Sequence, residues 1–180
     1  KNELMDKRDF KSEVLTNDEF IKVYNFYEEY KQQMNKIDFD DMLIKTYELL
    51  KNNKAALDRV RSVYRYILVD EFQDINKVQF EALKLIANPS NNIFVVGDED
   101  QSIYGFRGSR PDFLLEFEEY FSNTKKVLLD INYRSKGEII NIANRLIEKN
   151  TNRYEKVIKC GQGNGAKVNY ISPEDSEEEA

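Results

Sequence analysis

The chain has 180 residues, 41% hydrophobic and 33% charged, enough apolar material for a core of ordinary domain size, and no apolar run approaches membrane-spanning length. Its single cysteine, Cys160, excludes an internal disulfide, and the absence of histidine leaves any acid–base chemistry to carboxylates. The net charge of −6 argues against a nucleic-acid binder until its distribution is considered: residues 172–180 hold five carboxylates and no basic residue, whereas residues 125–159 hold nine Lys or Arg against four Asp or Glu.

Thr16 to Glu19 reads as a capping box opening a helix, with Phe20, Val23, Tyr24, Tyr27, Tyr30 and Met34 forming a core-packing stripe. Asp38 to Asp41 caps a second helix carrying Met42, Leu43, Thr46, Leu49 and Leu50, and a third covers Ala55 to Arg65 with Leu57 and Val60 inward. Tyr66 to Val69 is a short apolar strand that runs into Asp70 and Glu71. Read as a parallel strand covered on both faces, it would place these carboxylates where such sheets bind ligands. Asn76 to Ala87 is helical and stops at Asn88-Pro89.

Ile93 to Val96 is a second strand. Gly97 permits a tight exit, and Asp98, Glu99, Asp100 and Gln101 follow. Ser109 to about Tyr120 is expected to be helical with Pro111 in its first turn. Lys125 to Leu129 repeats the grammar as a third strand, followed by Asp130, Tyr133 and Arg134. Ser135 to Glu138 reads as a capping box for a helix with Ile139, Ile140, Ala143, Leu146 and Ile147 on one apolar face. Gly161 to Gly165 reads as a flexible loop, Lys167 to Ile171 as a strand partnered outside this sequence, and residues 172–180 as a disordered acidic tail. Apolar strands that end in polar clusters, separated by helix-length segments, give the rhythm of a parallel α/β sheet.

VDEFQD, VVGDEDQSIYGFRGS and LLDINYRS, in this order, resemble motifs II, III and IV of the UvrD/Rep/PcrA superfamily 1 DNA helicases, over roughly residues 37–159. The resemblance implies an α/β fold, part of a RecA-like P-loop NTPase sheet flanked by helices. Residues 37–125 would be the second half of a first motor domain, 126–171 the start of a second, and 1–36 part of an inserted helical subdomain. It implies ATP and Mg²⁺ as cofactors, with Asp70 holding the metal and Glu71 orienting or deprotonating the attacking water. Gln101 would sense the terminal phosphate, Arg134 would reach that phosphate from the second motor domain, and Tyr133 would stack on the adenine. Tyr104, Phe106 and Arg107 would face single-stranded DNA. Phe106 stands where the family usually has tryptophan, and the competing reading of these two rings is that one of them, Phe106 above all, packs inward. Gln73 and Asp74 would tie the first strand end to motif III.

A phosphate loop needs glycines whose N–H groups wrap the phosphates, followed by lysine and a hydroxyl. The first glycine here is Gly97, and the Gly161 to Lys167 stretch has the wrong spacing, with Val168 where the hydroxyl belongs. The expectation is therefore an internal piece of a 3′→5′ helicase or translocase that lacks the phosphate-loop strand, is inactive alone, and is partnered by the remaining helicase domains, ATP and single-stranded DNA. Its expected location is the cytoplasm, with no membrane partner. The alternatives are a naturally truncated, non-hydrolysing module that binds DNA or protein, and the helicase subunit of a recombination helicase–nuclease.

Overall fold

The computed structural model describes residues 3–172. The expectation for the acidic tail falls on residues 173–180, outside the described residues. The chain forms a mixed α/β structure of helices and two small parallel sheets, divided into a unit over Lys1–Thr124 and a unit over Lys125–Ala180. No helix among the described residues is long and apolar enough to cross a membrane.

In the first unit, α1 (Asn17–Gln33) and α2 (Phe39–Asn52) open with the two anticipated capping boxes, Thr16 with Glu19 and Asp38 with Asp41. The α1 stripe is not core: Val23, Phe26, Tyr27, Tyr30 and Met34 are exposed, and the buried residue of this helix is Lys31. Lys31 Nζ lies 2.9 Å from both Glu28 and Asp38 and also binds Asp41, so it ties the last turn of α1 to the N-cap of α2. A buried ammonium is tolerated only with such full pairing. α3 (Lys54–Val63) follows, and its Arg61 donates to the Leu85 carbonyl at 2.6 and 3.1 Å.

β1 (Ile67–Val69) pairs in parallel with β2 (Ile93–Val95), with Ile67 opposite Ile93 and Val69 opposite Val95. α4 (Lys77–Ala87), capped by Asn76, connects them and packs against α2 and α3. Coverage of both strand faces is not met: Leu68 is 74% and Phe94 62% exposed, while Ile67, Val69, Ile93 and Val95 turn to the half-buried side. Period-two alternation sends successive side chains to opposite faces, and the apolar packing of this unit lies to one side.

That packing is aromatic. Phe80 stacks on Phe113 with centroids 4.1 Å apart and meets the edge of Tyr120, Phe72 meets Phe117 edge-on at 5.5 Å, and Phe117 lies 4.7 Å from Phe121. Phe113 and Phe117 come from two one-turn helices, α5 (Asp112–Leu115) and α6 (Phe117–Tyr120). The single helix expected from Ser109 is thus corrected. Ser109 instead forms an antiparallel bridge with Asn76, and the chain re-aims at Glu116 so that both phenylalanines face inward.

In the second unit the expected strand at Lys125–Leu129 is absent. The pairing lies further on, between β3 (Ile131–Asn132) and β4 (Lys159–Cys160), in parallel. Lys167–Ile171 is not a strand either. α7 (Gly137–Ile147) buries Ile140, but Ala143 and Leu146 remain exposed, and its N-cap is Lys136 without a side-chain cap, correcting the Ser135 capping box. The Asn144 amide holds the approach to β4, donating to Ile158 O at 2.9 Å and accepting from Ile158 N–H.

The cost of losing a ring should separate the two faces of β1 and β2. Phe80→Ala is expected to lower the unfolding free energy by about 3–5 kcal/mol. Leu68→Ala on the bare face should change it by only about 0.5 kcal/mol. Urea denaturation followed by circular dichroism measures both.

Candidate functional site

The ends of β1 and β2 are knitted together before any functional side chain appears. Val96 N–H donates to Val69 O at 2.8 Å, and Phe72 N–H donates to Val96 O at 2.9 Å. Between them the backbone of Glu71 takes a left-handed conformation, φ 52°, which non-glycine residues rarely adopt. The turn leaves Asp70 and Glu71 exposed and drives Phe72 and Gln73 into the core. One Asp70 oxygen accepts the Glu71 N–H at 2.9 Å.

Gln73 is 1% exposed and sits between the two strand ends. Its Nε2 donates to Glu71 Oε2 at 2.7 Å, and its Oε1 accepts the Asp98 N–H at 3.0 Å. The Ser102 hydroxyl donates to its backbone carbonyl at 3.3 Å. Beyond it, Gln101 Nε2 donates to Asp98 Oδ2 at 2.7 Å. A Cβ on Gly97 would lie 2.8 Å from Gln73 Oε1, so this glycine makes room for the buried amide rather than for a tight exit. The sequence signal was the glycine immediately after an apolar strand.

Asp74 belongs to the same turn but gains little there. Its Oδ1 is buried and accepts no hydrogen bond among the described residues. Burial first, and the Glu71 charge second, push its carboxyl above the usual range. Asp98, Glu99 and Asp100 also bring carboxylate oxygens within 4.8 Å of one another. Asp98 is already committed, to Gln101 and to the Asp100 N–H at 3.2 Å.

The loop then presents an outward-facing surface. Tyr104 and Phe106 have ring centroids 6.0 Å apart, and the Arg107 guanidinium lies 4.9 Å from the first and 5.3 Å from the second. Phe106 is 79% exposed, so neither the inward packing considered for it nor a core role applies. Arg107 makes ring contacts and, among the described residues, no ion pair with a carboxylate. Gly108 closes the turn at φ 83°, a left-handed position suited to glycine.

In the second unit, Tyr133 and Arg134 are exposed just after β3. Asn132 Oδ1 accepts the N–H groups of Arg134 and Ser135 at 2.9 and 2.8 Å and fixes the turn that carries them. A Cβ on Gly161 would fall 2.7 Å from the Tyr133 ring, so this glycine lets the ring lie against the backbone. Lys159 binds Asp130 and holds its carboxyl below the usual range. Sequence reasoning missed Asn132, Gly161 and Lys31, because each acts through a partner distant in sequence or through space left empty.

Chemically, the first unit offers exposed carboxylates at a strand end, an amide relay behind them and an aromatic–cationic surface alongside. Asp74→Asn tests the strain in this arrangement. A carboxyl whose folded pKa is raised binds its proton more tightly in the folded chain, so its penalty grows as pH rises from the ordinary value of 3.8 through the folded value. Asp74→Asn is expected to raise the melting temperature at pH 7. The difference should close as pH falls below the ordinary carboxylate value, as measured by thermal denaturation across pH.

Comparison with known proteins places the chain in a family. Residues 1–122 match the family described as UvrD/REP helicase N-terminal domain, and residues 127–180 match the UvrD-like helicase C-terminal domain. Similar proteins include YjcD of Bacillus subtilis, 41% identical over 159 residues, covering 88% of this chain and 21% of the relative. The ATP-dependent DNA helicase PcrA of Staphylococcus epidermidis is 38% identical over 184 residues, covering all of this chain and 25% of the relative. The ATP-dependent DNA helicase Rep of Escherichia coli is 38% identical over 161 residues, covering 89% of this chain and 24% of the relative. The chain thus spans about a quarter or less of the length of the curated relatives it matches. It belongs to the UvrD/REP helicase family.

Proposed function

From membership of that family, we propose that this chain is motor-core sequence of an ATP-dependent 3′→5′ DNA helicase or translocase, acting in the cytoplasm. In this reading the β1–β2 pair belongs to a RecA-like sheet. Residues 37–125 are the second half of a first motor domain, residues 126–171 the start of a second, and residues 1–36 part of an inserted helical subdomain. The reading is carried by one observation: Asp70, Glu71 and Gln101 converge on the ends of two paired parallel strands, linked through Gln73 and Asp98 and continuous with the exposed Tyr104–Phe106–Arg107 cluster.

The roles are those that the family resemblance implies, and the chemistry of the side chains suits them. Asp70 is an exposed, oxygen-only ligand of the kind that Mg²⁺ accepts while keeping part of its water shell. Bound there with ATP, the metal would neutralise phosphate charge. Glu71 orients the attacking water and takes its proton. Gln101 meets the terminal phosphate, Arg134 reaches the same phosphate, and Tyr133 offers its exposed ring to the adenine. Tyr104 and Phe106 stack on single-stranded bases while Arg107 holds the rings in place and adds charge beside the DNA backbone. The phosphate cradle comes from the remaining helicase domains, since no glycine precedes Gly97 in this sequence.

Three measurements test this. The 180-residue chain alone is expected to turn over no ATP, and DNA-stimulated turnover abolished by Glu71→Gln in that chain would overturn the proposed division of the site. In a full-length helicase carrying this sequence, Glu71→Gln should lower kcat by roughly 10²–10⁴-fold with ATP affinity largely kept. Tyr104→Ala should weaken single-strand binding by about 1–3 kcal/mol with little base preference. If Tyr104→Ala instead melts early and loses all activities in parallel, the loop is structural.

A further inference from the structure

We propose that Gln73 is the positioning residue for Glu71, and that its side-chain amide is the single covalent piece joining the catalytic carboxylate to the strand end that carries Gln101. The inference rests on the helicase reading above and adds to it a residue with a distinct task.

The amide works because its two ends have opposite character. The Asp98 backbone N–H can only donate, so the group facing it at 3.0 Å must be the amide oxygen. That fixes the orientation of the side chain without reference to hydrogen positions. The NH₂ end must then face Glu71, at 2.7 Å, where it meets an acceptor. Glu71 is exposed and stands on a left-handed residue, so few other contacts restrict its side chain. A buried, immobile donor removes rotamer freedom that the carboxylate would otherwise keep, and it does so from behind, leaving the second carboxylate oxygen for the reacting water.

The surroundings are built for this amide. Gln73 is among the most deeply buried side chains, Ser102 secures its backbone carbonyl, and Gly97 supplies the space that any Cβ would fill. From Asp98 the chain of hydrogen bonds continues to Gln101 Nε2. Displacement of Glu71 is thereby transmitted to the peptide of Asp98 and to the residue proposed to meet the terminal phosphate. Other residues fail for identifiable reasons. Glutamate keeps the acceptor for Asp98 but offers no donor to Glu71, methionine offers neither, and asparagine is one methylene short.

The experiment compares wild type, Gln73→Glu and Gln73→Met. DNA-stimulated ATPase is read over a range of ATP concentrations in a full-length helicase carrying this sequence, and hydrogen exchange at the Asp98 amide is read by NMR in the 180-residue chain. Gln73→Glu retains the bond to Asp98 and sets a second carboxylate against Glu71. It should lower kcat roughly 10-fold or more with KM for ATP unchanged, because Glu71 loses the donor that holds it in place. The Asp98 amide should stay protected in wild type and Gln73→Glu and exchange faster in Gln73→Met. A folded Gln73→Glu variant with wild-type kcat overturns the positioning role. Rapid exchange at Asp98 in the wild type overturns the bridge itself, whatever the activity. A wild-type full-length protein with no ATPase, beside a protected Asp98 amide, overturns the helicase reading instead, so the two failures are distinguishable.

Discussion

The site depends on one pairing. With Ile67 opposite Ile93 and Val69 opposite Val95, the two strands end level, and the residues that follow each are forced into the same small volume. A slip of β1 by one residue would turn Leu68 toward the core and carry Asp70 away from Gly97. The two backbone bonds just past the strands, between Val96 and Val69 and between Phe72 and Val96, extend the ladder into the turn and hold the register where it matters. The parallel arrangement itself requires a crossover, which α4 supplies, and α4 presents Val78 and Phe80 to the core.

The aromatic cluster supports the same pairing from beneath. Phe72 is both the residue after Glu71 and a core ring, so the turn that lifts the carboxylates outward is anchored by the ring it drives inward. Phe113, Phe117 and Phe121 come from the segment just after the exposed loop and pack on the other end of the cluster. The loop from Gly97 to Ser109 is therefore fixed at both ends: at its start by Gln73, and at its close by the Asn76 bridge and the Arg110 N–H on Ile75 O. Its outward-facing part is the turn carrying Tyr104, Phe106 and Arg107.

Much of this was legible in residue order, and the exceptions share a cause. The capping boxes at Thr16 and Asp38 are local, four-residue chemistry, and they formed as read. The strands at Ile67 and Ile93 are bounded by strong local signals and formed within a residue or so of the expected limits. Lys125–Leu129 carries a short apolar run but forms no ladder, because a strand exists only where a partner's backbone meets it, and β4 meets the chain at Ile131 instead. The α1 stripe shows the same limit: periodicity reports that one face is apolar, not that anything in this chain covers it. Lys31 was invisible because its three carboxylate partners give it meaning only after α1 and α2 meet.

The strained elements cluster at the same place as the proposed chemistry. Glu71 has a left-handed backbone, Asp74 keeps a buried oxygen without a hydrogen bond among the described residues, and Gly97 is confined by Gln73 and Leu114. Each lowers stability relative to an easier residue, and such costs persist where surrounding packing over-determines the conformation. Here that packing is identifiable: Phe72 at 0% exposure and Gln73 at 1% flank the strained glutamate on its C-terminal side, and the β-ladder fixes it on the other. A turn held this rigidly cannot relax when Glu71 is displaced. The displacement passes instead through the Gln73 amide to Asp98 and Gln101, three residues before Tyr104. A path this short needs no long-range mechanism to connect the Glu71 carboxylate with the exposed rings of Tyr104 and Phe106. It requires only that its one buried amide keep a donor at one end and an acceptor at the other.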